Sequence, residues 1–575
     1  MNSAFPKTVT AKPGNNPTPR SHTTSSKNRA ALTLGGLFLL ALVIQVITFK
    51  CKAGPYDEFL SLYGADRILH GETPYREFWT MYGPAQFYVI AFFFKIFGVS
   101  TLTGRIYDAL IRAGIACTCF SLARLLTSTR WAFVAFAAVI LWLSGIYYPA
   151  YNFPVYPAML ASLVSCLFFA RFLQSFGEKP LFQAGLFVSI ATIFRHDSGF
   201  YICLAELLML IWIAALHRRS GQSLSDLLTT IGRRVLLYLT GVVLIAAPVY
   251  ALIVLKAGFQ NVFYDLFYVP AVIYPKVRSL PFLTSETLQQ LHRPLSWDGR
   301  IAVESLIVFF PIFVILSAFL FLITSRQARV FPTNWQRRTF SLLLLLASLF
   351  FLKGLIRVGP VQLLQSIIVC LIMMAVLFGH LQKLSRPVAA SLYTTVFFLT
   401  LCTLPVLSHM LSFARVNLHQ TIHPGNADSY AHLCHPAAEL SRARCILVEP
   451  DEIAAVKDIE RRSSPDQPIY VGDGRHDRIF WNDVRLYFLS GRSSITRWHD
   501  LHPGVQTTLP IQNQIVDAMR RDAPPVIAIN STWDDTIEPN QSQYSSGVTV
   551  LDDYIRANYV PRDIYGKISI LTPSP

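Results

Sequence analysis

Charged residues are scarce in this 575-residue chain, which has 50 lysines and arginines but only 34 aspartates and glutamates. Together these residues make up 15% of the sequence, against roughly 25% in soluble domains. Residues 1–29 contain no Asp or Glu at all. Hydrophobic residues reach 53% and the mean hydropathy is +0.41, so the composition excludes an ordinary soluble protein and indicates a membrane protein.

Cysteines with metal-ligand spacing are also lacking among the nine in the sequence. Cys434 and Cys445 lie in the polar C-terminal region, where an oxidising compartment would allow a disulfide between them. Two free surface thiols are the alternative, because spacing alone does not fix a pairing. Six others lie inside apolar runs and are expected to act as small hydrophobic residues: Cys117, Cys119, Cys166, Cys203, Cys370 and Cys402.

The net charge of +16 would suit a nucleic-acid-binding protein, but its distribution excludes that class. The basic residues cluster in short loops between apolar runs, which is the pattern of cytoplasmic loops in membrane proteins. The relevant loops contain Arg124 and Arg130, Arg171 and Lys179, Arg218 to Arg234, Arg326 to Arg338, and Lys383 with Arg386. We therefore expect membrane lipids, not nucleic acid, as the surroundings of this chain.

About eleven apolar runs are long enough to cross roughly 30 Å of hydrocarbon. The predicted spans are 30–49, 103–126, 131–148, 155–173, 181–194, 199–216, 235–255, 301–324, 339–355, 361–378 and 388–410. The run 84–97 is apolar but short, so we predict a helix that lies in the membrane interface. Counting it as a span would export nearly all the basic loops, which the positive-inside rule opposes.

This topology divides the chain into three parts. Residues 1–29 are predicted to form a disordered cytoplasmic tail, and residues 30–410 an α-helical transmembrane domain with interfacial helices in its first outer loop. Residues 411–575 mix short apolar segments with polar helical ones, which predicts a small extracytoplasmic α/β domain. The chemistry is expected on the outer face.

Two acids follow the first span closely. Asp57 and Glu58 would lie at the boundary between water and lipid, where a lowered dielectric raises the basicity of a carboxylate. Such a position suits a general base, or a metal ligand, that acts on a headgroup in the outer leaflet. The alternative is an acidic pair that caps the helix that follows.

These acids belong to a pattern that resembles a known family. The pattern continues with a helix ending in Gly71-Glu72-Thr73-Pro74-Tyr75, the run from Gly83-Pro84 to Ser100, and Arg105 at the start of the next span. It resembles the GT-C membrane glycosyltransferases, in particular the bacterial relatives of dolichyl-phosphate-mannose protein mannosyltransferases and of aminoarabinose transferases (family 39-like), over residues 30–255. The resemblance implies that Asp57 is catalytic and that a polyprenyl-phosphate-linked sugar is the donor.

Metal use is left open by the same resemblance. Relatives that use a metal carry an acid in the second outer loop, where this chain has only Asn152. A divalent metal, if the protein uses one, would be held by Asp57 and Glu58.

Several cations are predicted on the outer face, against the charge bias, and each needs a reason. Neutralising the phosphate of a lipid-linked donor supplies one for Arg195, Lys276, Arg278 and Arg357. Tyr82, His196 and Asp197 are predicted to line the same site. For Arg195 the alternative is a local pair with Asp197, and for the others it is snorkelling to the interface.

The sequence thus predicts an inverting transferase in the bacterial inner membrane, with its N-terminus cytoplasmic and its C-terminus periplasmic. It would move a sugar to an envelope acceptor, which is a lipid, a glycan or a protein. The rival functions are a flippase or transporter of lipid-linked saccharides and a non-catalytic subunit of an envelope complex. Glu206, in the middle of a span, would be the focus of a transporter, but a structural hydrogen bond is favoured, because no second acid accompanies it at that depth.

Overall fold

The computed structural model describes residues 22–50, 57–145, 150–216, 224–280, 289, 292, 306–328, 331–359, 361–384, 386–423 and 439–575. The helices of its first half are α1 His22–Ile47, α2 Asp57–Leu69, α3 Ala85–Phe97, α4 Thr101–Leu126, α5 Thr129–Gly145, α6 Val155–Ser175, α7 Glu178–Phe194, α8 His196–Leu216 and α9 Leu224–Ala257. The following helices are α10 Phe259–Phe263, α11 Tyr274–Val277, α12 Phe310–Ala328, α13 Asn334–Gly354, α14 Leu364–Gly379 and α15 Arg386–Ile422. Short 3₁₀ turns lie at Leu306–Phe309 and Leu381–Lys383.

Six helices in the described part of the chain are long and apolar enough to cross a membrane. They are Asn28–Ile47, Thr101–Leu126, Val155–Ser175, His196–Leu216, Ile231–Ala257 and Leu306–Thr324, and shorter apolar helices occupy Ala85–Phe97, Thr129–Ser144 and Leu364–Gly379. The chain is therefore a multi-pass membrane protein. The count of about eleven spans stays a prediction.

The segment between α1 and α4 contains two helices, α2 and α3, that pack against each other. The apolar helix α3 buries Phe87, Ile90 and Phe94 on one side and exposes Phe92 and Ile96 on the other. A short helix with one exposed apolar face is typical of an interfacial segment.

An irregular helical segment follows α9, where the sequence suggests only a loop. A π-helix, Tyr264–Ile273, joins α10 to α11 and contains Pro270. Proline has no N–H for the helical ladder, which favours such a local widening. The segment ends at Arg278, which belongs to the candidate site described below.

Buried polar side chains are paired inside the helical bundle. Arg112 donates to Asp108 one turn earlier on α4, as is usual for an ion pair at a spacing of four residues. Glu206 accepts hydrogen bonds from Ser165 and Tyr238, each at 2.8 Å. The predicted hydrogen bond of Glu206 inside the bundle is therefore present, and its structural role stays a prediction.

The C-terminal part contains a four-stranded sheet in the order β1-β2-β4-β3. Strands β1 and β2 are parallel, while β4 pairs antiparallel with both β2 and β3. Its elements are α16 Pro450–Arg462, β1 Tyr470–Asp473, α17 Val484–Ser490, α18 Leu509–Asp522, β2 Ile527–Asn530, a 3₁₀ turn Gln541–Gln543, α19 Val550–Asn558, β3 Tyr559–Tyr565 and β4 Ile568–Pro573. Helix α15 meanwhile runs past Met410, so the division at residue 410 stays a prediction.

The C-terminal part shares a hydrophobic core with α2 and α3. Tyr63 of α2 stacks on Tyr487 of α17 with ring centroids 5.0 Å apart, and Phe59 contacts Phe488 edge to face at 5.6 Å. Aromatic pairs of this geometry stabilise by about 0.5–1.5 kcal/mol beyond their burial. The C-terminal part is thereby packed against α2 through Tyr487 and Phe488 of α17.

Candidate active site

Asp57 is the first residue of α2 and is half-buried. Its Oδ1 accepts a hydrogen bond of 3.0 Å from the hydroxyl of Tyr82, one of the residues predicted to line the site. A carboxylate held in this way keeps one orientation and still has a second oxygen for a substrate proton.

The loop between α2 and α3 brings Tyr82 to this position. The Tyr75 hydroxyl donates to the carbonyl of Tyr82 at 2.6 Å, and the N–H of Gly83 donates to the carbonyl of Phe194 at 3.2 Å. A Cβ at Gly83 would lie 2.3 Å from the carbonyl oxygen of Ile193, so only glycine permits this approach. The approach places the Tyr82 ring centroid 5.8 Å from the guanidinium carbon of Arg195.

The surroundings of Asp57 act on its pKa in opposite directions. Burial raises the pKa of Asp57, while the Tyr82 hydrogen bond and the charges of Arg195, Arg357 and Arg278 lower it. Burial dominates, and the pKa lies above the ordinary value. A carboxylate with a raised pKa is a better proton acceptor than an ordinary aspartate, which is what a general base requires.

Glu58 lies in a different environment from its neighbour. Its two oxygens accept from Arg105 at 2.7 and 3.0 Å, and neither side chain is exposed. Arg105 also donates to the carbonyl of Lys50 at 2.6 Å and lies 4.3 Å from the ring centroid of Tyr151. Glu58 is therefore engaged in a buried two-point ion pair with Arg105, whereas the hydroxyl of Tyr82 donates to Asp57.

The residues around Asp57 do not form a metal site in the part of the chain that the structure describes. No three His, Cys, Asp or Glu side chains lie together in ligand positions there. Glu58 faces Arg105, and the backbone N–H of Asn152 donates to Asp108 at 3.0 Å. A divalent ion would have Asp57 as its one carboxylate ligand from this set, which is fewer than Mg²⁺ or Ca²⁺ sites normally use.

Arg195 and Lys353 share the carboxylate of Asp197. Arg195 Nε lies 2.9 and 3.1 Å from the two Asp197 oxygens, and Lys353 Nζ lies 3.1 Å from Oδ2. The predicted local pair of Arg195 and Asp197 is therefore present. Among the described residues, however, Arg195 Nη1 is buried without a hydrogen-bond partner. The ring of His196, beside them, packs against Phe267 of the π-helix at 5.3 Å.

Arg278 and Arg357 converge on one acid that sequence reasoning missed. Arg278 Nη1 lies 3.0 Å from Glu538 Oε2, Arg357 Nη1 lies 2.9 Å from the same oxygen, and Arg357 Nη2 donates to Oε1. Burial alone would raise the pKa of Glu538. The hydrogen bond from Arg357 and the charge of Arg278 nevertheless hold this pKa below its ordinary value. Lys276, the fourth predicted phosphate ligand, is exposed.

The C-terminal part also contacts the loop before α3 and the segment around the π-helix. Arg497 Nη2 lies 2.6 Å from Asp265 of the π-helix. The carbonyl of Arg497 accepts a hydrogen bond of 2.8 Å from the N–H of Trp79. The ring of His502 lies 5.6 Å from that of Tyr274. Burial and then the charge of Arg278 lower the pKa of His502 to about 3, so this histidine is neutral near pH 7.

The predicted disulfide is tested at one of its two ends only. Cys445 is disulfide-bonded and buried beside Phe49 and Tyr151. Cys434 lies outside the described residues, so its pairing with Cys445 stays a prediction.

The overall fold is shared with solved structures, in agreement with the resemblance noted in the sequence. The chain is similar to two solved structures of ArnT from Cupriavidus metallidurans. With the apo form it shares 15% identity at a TM-score of 0.54, over 95% of this chain and 100% of that one. With the form bound to undecaprenyl phosphate the identity is 12% and the TM-score 0.53, over 95% and 99%. No protein-family model and no curated protein sequence matches the chain.

Proposed function

We propose that this protein is an inverting glycosyltransferase that moves a sugar from a polyprenyl-phosphate donor to an envelope acceptor on the periplasmic face of the bacterial inner membrane. The observation that carries the proposal is the half-buried Asp57 carboxylate, which is hydrogen-bonded to Tyr82 and feels the charges of Arg195, Arg278 and Arg357. One base beside several cations is the set that glycosyl transfer from a lipid phosphate requires.

In the reaction, Asp57 accepts the proton of an acceptor hydroxyl while that oxygen attacks the anomeric carbon of the donor sugar. The bond from this carbon to the phosphate oxygen breaks on the opposite face, and polyprenyl phosphate leaves with the electron pair. Arg195, Lys276, Arg278 and Arg357 are proposed to stabilise the charge that grows on the phosphate. Tyr82 orients Asp57, and no step is assigned to a metal ion.

The fold supports the choice of donor. The structure of ArnT that this chain resembles contains undecaprenyl phosphate. Buried cations near an outer membrane boundary suit a ligand whose charge must be neutralised while its chain lies among apolar helices. The basic-loop asymmetry of the sequence supports the periplasmic placement of Asp57.

The test is release of polyprenyl phosphate by the purified protein in lipid nanodiscs. The protein is incubated with undecaprenyl-phosphate-linked sugars and an envelope extract, and the freed lipid phosphate is measured by mass spectrometry. We expect release by the wild type and a loss of at least about 100-fold in Asp57→Asn, since a general base supplies two to four orders of magnitude. Movement of the lipid-linked sugar across liposomes without release of lipid phosphate would show a transporter instead.

A further inference from the structure

Glu538 occupies the two arginines that the proposed function assigns to the donor phosphate. Its carboxylate receives both Arg357 and Arg278 and is almost fully buried, with 11% of the side chain exposed. A two-point contact between guanidinium and carboxylate has nearly the same geometry as one between guanidinium and phosphate. The carboxylate therefore lies where a phosphate oxygen pair would bind.

The contact differs from the other shared carboxylate in the site. Asp197 lies two residues from Arg195 and also accepts the N–H of Ser198 at 2.6 Å, at the start of α8. Asp197 is thereby tied to the helix that carries it. Glu538 lies 181 residues after Arg357 in the sequence, in the C-terminal part of the chain.

The residues directly around Glu538 are mostly exposed. It lies between β2 and the 3₁₀ turn Gln541–Gln543, and residues 535–537 and 539 are exposed. Within the segment, the Glu538 carboxylate accepts a hydrogen bond of 3.0 Å from Asn540. Because the flanking residues are outside the core, Glu538 can move away from the arginines without opening the sheet.

The charges favour displacement as the reaction proceeds. The two guanidinium groups and the Glu538 carboxylate carry a net charge of +1 among the three of them. The phosphodiester of the donor carries one negative charge, as the carboxylate does. The product is a phosphate monoester, with about −1.5 to −2 at neutral pH by analogy with phosphorylated side chains. A growing phosphate charge thus competes for the arginines increasingly well.

We propose that Glu538 is a carboxylate latch, which fills the phosphate seat between Arg278 and Arg357 in the empty enzyme and is displaced by the lipid phosphate. The C-terminal part of the chain is then fastened to the membrane helices when no donor is bound and is released at this contact when the donor arrives. This inference rests on the proposed function, because it takes these two arginines as phosphate ligands.

The experiment measures binding of undecaprenyl phosphate to protein in nanodiscs, with the uncharged alcohol undecaprenol as the comparison lipid. Glu538→Gln keeps the size of the side chain but removes its charge. We expect this variant to bind undecaprenyl phosphate at least about tenfold more tightly than the wild type. A tenfold gain corresponds to a wild-type protein in which Glu538 leaves the two arginines free in about one-tenth of the molecules. The control is Glu439→Gln, which removes an exposed acid paired with Lys457 and should leave the affinity unchanged.

A second measurement and a second variant keep the test decisive. The melting temperature of the empty protein should fall in Glu538→Gln while its lipid affinity rises, a combination that a purely structural residue would not show. If Glu538→Gln does not fold, Glu538→Asp retains the charge one methylene further back and should show a smaller gain in affinity.

Two results would overturn the latch, and they are distinguishable. Tight binding of undecaprenyl phosphate by the wild type, with equal or weaker binding by the folded variants, would overturn the latch alone and leave the transferase proposal standing. Binding no tighter than that of undecaprenol by wild type and variants, with no release of lipid phosphate, would overturn both.

Discussion

The two acids that open α2 have opposite environments. Asp57 is half-buried, accepts a hydrogen bond from Tyr82 and feels the charges of Arg195, Arg357 and Arg278. Glu58 has no exposed surface and is paired with Arg105. Successive residues on a helix point about 100° apart, so one turn of helix presents one acid to the site and the other to the interior. Two adjacent acids thus have unlike surroundings, and the proposed function assigns the chemistry to Asp57 alone.

The largest effect on stability is expected at the interior acid. Glu58→Gln removes the charge that balances Arg105, and breaking a buried ion pair at one partner costs about 3–5 kcal/mol. Asp57→Asn, on the half-buried side, should cost about 1 kcal/mol or less, as expected for a residue that only caps a helix. Thermal unfolding of both variants in the same detergent measures the contrast. Equal melting temperatures for the two variants would contradict the assignment of Glu58 to a buried structural ion pair and of Asp57 to the site.

The next effect concerns the disulfide on the interior side, where Cys445 packs near Tyr151. A bond from Cys434 to Cys445 would close a short loop and should contribute about 2–3 kcal/mol. Peptide mapping of unreduced protein identifies the partner of Cys445. A fragment that joins Cys445 to Cys51 would contradict the predicted pairing and would tie the C-terminal part to the end of α1 instead.

On the site side, Arg195→Ala should weaken donor binding. Losing charge-assisted hydrogen bonds worth about 1.5–3 kcal/mol corresponds to about 10- to 150-fold in affinity. The matched variant is Lys276→Ala, whose exposed side chain should contribute less because water screens it. Titration of both with undecaprenyl phosphate decides, and an unchanged affinity in Arg195→Ala would leave its pair with Asp197 as a purely local contact.

The smallest effect is a shift in pH dependence. Asp57 must be ionised to accept a proton, so the rate should fall as the pH drops through its pKa, which burial raises above the ordinary value of 3.8. The charge of Arg195 lowers that pKa, so Arg195→Ala should move the acid limb of kcat/KM to higher pH. A limb that stays in place would show that another group titrates.

The sequence predicts much of the helical architecture, because apolar runs long enough to cross a membrane are visible in the sequence alone. It does not predict which of Asp57 and Glu58 faces the candidate site. That depends on tertiary contacts, namely the ion pair of Glu58 with Arg105 of α4 and the hydrogen bond from Tyr82 to Asp57. Glu538 leaves no local signal, because its partners are 181 or more residues away. The π-helix was also missed, since a widened turn has no distinct hydrophobic period.

The central claim is that Asp57 acts in the chemistry while Glu58 holds the helix. Single-turnover transfer by Asp57→Asn and by the double variant Glu58→Met with Arg105→Met tests it, because replacing a buried pair by apolar residues of similar volume is often neutral for folding. With equal amounts of folded, donor-bound protein, Asp57→Asn should be at least about 100-fold slower than wild type, and the double variant should stay within a few-fold. A fast Asp57→Asn with a slow double variant would contradict the account and move the catalytic role to Glu58.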